Sequence, residues 1–175
     1  GPQDPDKGSA SCASTVGWAY RKALGLTGMS ASSTTQSSDN RFSTIWTNSG
    51  CGFNSDNILQ PGDVMYYNWD QTRNNGKMQH TEMYAGDGTD WSHGGSPKMG
   101  PTKKSLNDYR RKHLMMVRRY NGFIGNDQSG SSRRRGFARS MTSGVSASIS
   151  DNAKRVISQY GISTSSSTPR YGSIS

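Results

Sequence analysis

A chain of 175 residues with only 30% hydrophobic residues and a mean hydropathy of −0.85 is too lean to pack a core along its whole length. It suits one domain of about 120 residues with an extension. Its formal charge of +9 attracts polyanions, whether nucleic acid, anionic lipid or an anionic wall polymer, without choosing among them. No apolar run reaches the ~20 residues of a membrane span, and no charged-then-apolar signal segment opens the chain.

The chain begins Gly1-Pro2, like the remnant of a protease-cleaved tag, and so reads as a fragment of a larger protein. Residues 1–10 form a polar lead-in. From Cys12 the pattern turns helical: Val16, Ala19, Tyr20 and Ala23 repeat at the spacing of one helix face. Ser11 can cap this helix and Gly25 can stop it, which puts Cys12 in its first turn. Residues 27–57 are rich in Ser, Thr, Asn and Gly and read as loop, with a short helix around Phe42–Thr47. Ile58–Asp63 is a Pro-Gly turn. It leads into Val64–Trp69, a strand of β-branched and aromatic residues.

The polar loop Asp70–Lys77 precedes a second strand, His80–Ala85. Gly86-Asp87-Gly88 makes a hairpin-like turn into a third strand, Asp90–His93. Leu114–Tyr120 reads as the closing strand. One helix ahead of several antiparallel strands is an α+β arrangement.

After Ile124 the composition shifts. Residues 125–150 are mainly Ser, Gly and Arg, with Arg133-Arg134-Arg135 together, which is linker composition. A short helix is expected over 151–160. Residues 1–124 carry 14 Lys/Arg against 10 Asp/Glu, hence +4, and residues 125–175 carry 7 against 2, hence +5. The chain therefore divides into a domain over 1–124 and a basic tail over 125–175. The Arg run is either a solvated tail or a contact for anionic wall polymers.

Two features carry chemistry. A thiol becomes a strong nucleophile as thiolate, and a helix N-terminus and a nearby imidazole both favour that ion. Cys12 has the first if the helix forms. His80, opening a strand after a flexible loop, is the best candidate for the second. Pairing through the Gly86–Gly88 turn puts His93 near cross-strand register with His80, where it can orient the imidazole as the third member of a triad. Read from the residues alone, Cys12 is either this nucleophile or a buried structural thiol. His113, among Arg111 and Lys112, reads as a surface residue. Cys51 reads as structural or incidental, and a Cys12–Cys51 disulfide stays open. Two separated cysteines and three dispersed histidines lack zinc-site spacing. No nucleophile-elbow serine motif is present.

Several segments resemble a known family. Ser11–Leu24 resembles the nucleophile segment of the NlpC-type cell-wall cysteine peptidases. Leu59-Gln60-Pro61-Gly62-Asp63-Val64 is similar to their Leu-x-Pro-Gly-Asp-Leu/Val signature. His80–Gly88 resembles their His-Val-Gly-Ile-Tyr-x-Gly-Asn/Asp-Gly segment, Trp91-Ser92-His93-Gly94 the one bearing the third catalytic residue, and Leu114–Tyr120 the last strand. The blocks run in order over roughly residues 6–122. Ser11 stands where the family has Asp, Ala13-Ser14 where it has Ser-Gly, and Thr81-Glu82 where it has Val-Gly. The related CHAP amidases share the layout.

The resemblance implies a papain-like fold, with the helix carrying the Cys packed on a small antiparallel sheet. It implies hydrolysis of amide bonds in the peptide part of peptidoglycan, with Cys12 as nucleophile, His80 as base and then acid, and His93 orienting it. No metal or organic cofactor is needed. The departures and the Ser/Gly-rich tail suit a phage endolysin or a tail-associated lysin, acting outside the cell or in the wall. Trp69 and Trp91 either flank a substrate groove or pack in the core. Glu82 shares the His80 face of its strand; it is placed to perturb His80 or meet a substrate amine, and the plain reading is a solvated carboxylate. The competing class is a protein that binds nucleic acid or wall polyanions without hydrolysis. Nucleic-acid binding would want aromatics among the basic residues, and here the aromatics lie in the strands, away from the Arg run.

Overall fold

A computed structural model describes residues 11–93, 100–124 and 151–163. The first helix, α1 (Cys12–Leu24), forms where the apolar spacing predicts, and its Val16, Ala19, Tyr20 and Ala23 are buried. Gly25 closes it in the left-handed region at φ 75°, a conformation that costs glycine least. A short helix α2 (Ser33–Gln36) follows.

Six strands make one antiparallel sheet: β1 (Phe42–Thr47), β2 (Val64–Tyr67), β3 (His80–Gly86), β4 (Thr89–Ser92), β5 (Thr102–Ser105) and β6 (Leu114–Tyr120), in the order β1-β6-β2-β3-β4-β5. The molecule is thus α+β, with the Cys-bearing helix laid against an antiparallel sheet. Helix α3 (Asp108–His113) leads into β6 and α4 (Asn121–Ile124) follows it.

One expectation changes. Phe42–Thr47 is a strand, not a helix. Its Phe, Thr, Ile and Trp favour extended backbone, and it pairs along β6 with one irregularity between Thr44 and Trp46. β6 is the last strand in the chain, as expected, and it lies inside the sheet between β1 and β2.

The sheet is covered on both faces, so all four residues of β2 are buried. Val64, Tyr66, Met83 and Met115 pack with α1; Met65, Tyr67, Leu114 and Val117 pack on the other side with Phe53. This is why adjacent tyrosines both disappear from solvent. The Pro61-Gly62 turn ties the layers together. Gly62 sits at φ 95°, and the Tyr20 hydroxyl donates to its carbonyl at 2.7 Å. Next to it, fully buried Asp63 accepts from Arg119 Nε at 2.7 Å and Nη2 at 2.8 Å.

Residues 151–161 form a last helix, α5. Its Ala153, Val156 and Tyr160 are buried in the same cluster as α1, and Arg155 Nη2 donates to the Ala23 carbonyl at 2.7 Å. The helix expected in the tail therefore belongs to the domain core. The Arg133–Arg135 run lies outside the described residues. Among those described, no helix is long and apolar enough to cross a membrane.

Candidate active site

Cys12 occupies the first turn of α1. Ser11 precedes it with extended backbone, and Ser14 Oγ turns back to accept the Ser11 N–H at 2.9 Å. First-turn amides have no intrahelical acceptor, so the Cys12 N–H stands free of the ladder beside its own sulfur. The Ser33 hydroxyl lies 3.6 Å from Sγ, and the Thr81 hydroxyl lies 2.6 Å from Ser33 Oγ. Ser33 is thus held between the sulfur and β3.

His80 opens β3 beneath this turn. Its Nε2 lies 2.8 Å from Glu82 Oε2 and 3.1 Å from Ser92 Oγ, which leaves Nδ1 for the sulfur. Burial raises the Cys12 thiol, but hydrogen bonding to and charge on His80, with bonds from Ser33 and the Thr81 backbone, outweigh it and bring the thiol down to about 7. Burial opposes the charge on His80 as well, yet Cys12 and Glu82 push the imidazole up to about 9. Each group thus favours the ionised form of the other.

Alternation decides which side chains meet this ring. Tyr67 pairs with His80, and Tyr84 with Asp90, so His80, Glu82, Asp90, Ser92 and Tyr67 share one face. Glu82 is fully buried. Arg110 holds it with Nε to Oε1 at 3.2 Å and Nη2 to Oε2 at 2.7 Å, a bidentate pair that keeps its pKa well below the ordinary carboxylate range together with His80. Glu82 is therefore neither solvated nor open to a substrate amine.

His93 goes the other way. Met83 pairs with Trp91, and two further residues along each strand bring His93 opposite Thr81 rather than His80. One residue of register turns a side chain to the opposite face. His93 is buried there, 6.0 Å from the Tyr160 ring. Burial holds it neutral with a pKa of about 4. The orienting contact expected from His93 is made by Glu82 instead.

The two tryptophans also part. Trp69 lies 5.8 Å from the His80 ring and stacks with Tyr67 and with Tyr109, the latter 55% exposed. Trp91 stacks on Tyr160 of α5 and lies partly buried against the core, with Lys103 Nζ 5.2 Å over its ring. His113 is buried rather than superficial, with Nδ1 2.7 Å from the Gln71 carbonyl. Cys12 and Cys51 are both free thiols, and Cys51 is exposed. Among the described residues no three or more His, Cys, Asp or Glu gather as a metal site.

The sequence reading missed Ser33, Thr81, Ser92, Asp90 and Arg110. Strand alternation could have found Asp90 and Ser92 once the hairpin register was right. Ser33 and Arg110 reach the site from other elements, and no local pattern marks them.

No protein-family model matches the chain, and no curated protein matches it. Among solved structures it is similar to an NLP/P60 family protein, described as similar to lipoprotein, from Staphylococcus aureus. That match has 20% identity and a TM-score of 0.45, covering 63% of this chain and 32% of that one. It is also similar to an NlpC/P60 family protein from Bacillus cereus, at 24% identity and a TM-score of 0.46, covering 63% and 31%. The matched part thus spans about a third of the length of those proteins.

Proposed function

We propose that this chain is a cysteine hydrolase that cleaves an amide bond in the peptide part of bacterial peptidoglycan. The observation that carries the reading is the placement of Cys12 in the first turn of α1, with Ser33 on its sulfur, next to a His80 imidazole anchored by Glu82, so that each group favours the ionised form of the other. A buried structural cysteine would have neither a helix N-terminus nor a charged imidazole to ionise it. The substrate class rests on the motif blocks around Cys12, Pro61-Gly62-Asp63 and His80.

In this mechanism the Cys12 thiolate attacks the carbonyl carbon of the scissile amide. The developing oxyanion meets the free Cys12 N–H at the start of α1, where backbone donors and the helix dipole favour negative charge. His80 gives its Nδ1 proton to the leaving amine. It then takes a proton from water, whose attack on the thioester restores Cys12. Glu82 is the positioning residue. Its carboxylate holds Nε2, fixes the ring orientation and stabilises the imidazolium, and Arg110 fixes the carboxylate. Trp69 and Tyr109 line the approach to His80.

The same groups serve a muramoyl-alanine amidase or an endopeptidase. The Ser/Gly/Arg-rich tail supports a phage endolysin or tail-associated lysin working at the cell wall, with the basic tail drawn to anionic wall polymers. The test is release of new amine termini from purified sacculi. Cys12→Ala and Cys12→Ser should lose turnover while circular dichroism stays that of the parent chain. Wild-type lysis by either folded variant would refute the assignment.

A further inference from the structure

Behind Glu82 lies a second carboxyl group that the mechanism does not use. Asp90 on β4 is fully buried. Its Oδ2 accepts the Tyr67 hydroxyl at 2.6 Å, while its Oδ1 has no hydrogen-bond partner. Asp90 shares a sheet face with Glu82 across the β3–β4 hairpin, and each carboxyl group acts on the protonation of the other. Two carboxylates in contact away from water cannot both ionise; one keeps a proton.

The surroundings decide which. Glu82 has the Arg110 guanidinium on both oxygens and His80 on Oε2. Asp90 has one neutral donor, Tyr67, at its Oδ2. Its cross-strand neighbour on β5 is Lys104, yet Oδ1 stays unpartnered. The charge therefore belongs on Glu82 and the proton on Asp90. A protonated Oδ1 also accounts for a buried oxygen with no donor facing it, because it becomes a donor itself and Glu82 supplies an acceptor on the same sheet face.

We propose that Asp90 is protonated at neutral pH and donates from Oδ1 to Glu82, making Asp90 a positioning residue for His80 that acts through Glu82. The chain of contacts then runs Tyr67 hydroxyl to Asp90, Asp90 to Glu82, and Glu82 to the imidazole, with Arg110 and the His80 imidazolium both supplying positive charge to the Glu82 carboxylate. Burial and the Glu82 charge both hold the Asp90 proton in place. The proposal rests on the Cys12–His80 reading for its consequence, but its test needs no substrate.

The experiment follows the pH dependence of Cys12 alkylation by iodoacetamide, on a Cys51→Ser background that removes the exposed thiol. It is joined to infrared detection of the carbonyl stretch of a protonated carboxylic acid at pH 7. Asp90→Asn keeps a donor toward Glu82 and an acceptor for Tyr67. Its alkylation profile should overlay that of the parent within about twofold, while the acid band disappears. Asp90→Ala removes the donor. Its Cys12 midpoint should rise from about 7, slowing alkylation at pH 7 by up to about tenfold per unit of rise.

An ionised Asp90 would give the opposite pattern: no acid band in the parent, and a shifted midpoint in Asp90→Asn, which would lose a charge. Either result overturns the proposal, as does an unshifted profile in folded Asp90→Ala. If Asp90→Ala does not fold, the Asp90→Asn profile and the infrared band still decide. Lysis that survives Cys12→Ala would sink the hydrolase reading and leave this protonation assignment standing.

Discussion

At the scale of residues, Cys12 and His80 define a pH window. The thiol is lowered from 9.0 to about 7, so thiolate accumulates above about pH 7; the imidazole is raised from 6.5 to about 9, so imidazolium persists until about pH 9. Turnover should rise through the first value and fall through the second, a bell that initial rates on purified sacculi would trace. A profile flat from pH 5 to 10 would argue against the ion pair. Glu82→Gln removes the charge that keeps His80 protonated, so the upper limb should move to lower pH. The rate should fall by up to about 10⁴, the loss seen when a carboxylate that orients a catalytic histidine becomes an amide. Stopped-flow alkylation and circular dichroism would separate this from misfolding, since Arg110 is left beside a neutral partner.

Much of this centre was legible as sequence. The first turn of α1 was readable from Ser11, the Val16–Ala23 stripe and Gly25, because a helix long enough to repeat its apolar face announces itself. His80 was readable as the opening of a strand. The identity of its Nε2 partner was not. That choice turns on a single residue of hairpin register, and the irregularity between Tyr84 and Gly86 is invisible to alternation counting. Thr81 and Glu82, departures from the family pattern, are the residues that bond Ser33 and His80.

At the scale of elements, the lesson of β1 is that six residues carry too little periodicity to separate helix from strand, and pairing with β6 decides. α5 shows the reverse: its existence was legible in residues 151–160, but its docking was not, because the partners of Ala153, Val156 and Tyr160 lie far along the chain in α1 and β4. The docking has a measurable consequence. Tyr160 is fully buried against Trp91 and His93, so Tyr160→Ala should cost about 3–5 kcal/mol, the usual loss for truncating a buried large aromatic. Urea denaturation would read it. A change below about 0.5 kcal/mol would mean that α5 adds nothing to the core.

At the scale of the whole molecule, central strands buried on both faces make one cooperative unit of α1, the sheet and α5. Far-ultraviolet dichroism and tryptophan fluorescence should therefore report one coincident unfolding transition. Two separated transitions would show α5 leaving on its own. The excess of positive charge is a property of the chain as a whole, and the attraction it gives toward any polyanion should weaken as salt screens it.

The account stands on one event, attack by the Cys12 sulfur on a peptidoglycan amide. Mass spectrometry of the fragments released from a purified peptidoglycan of known structure reads that event directly. The chain should yield products that differ from the substrate by the addition of water across one amide bond, and the Cys12→Ala variant should yield none. Identical fragments from both, or cleavage confined to glycosidic bonds, would contradict it.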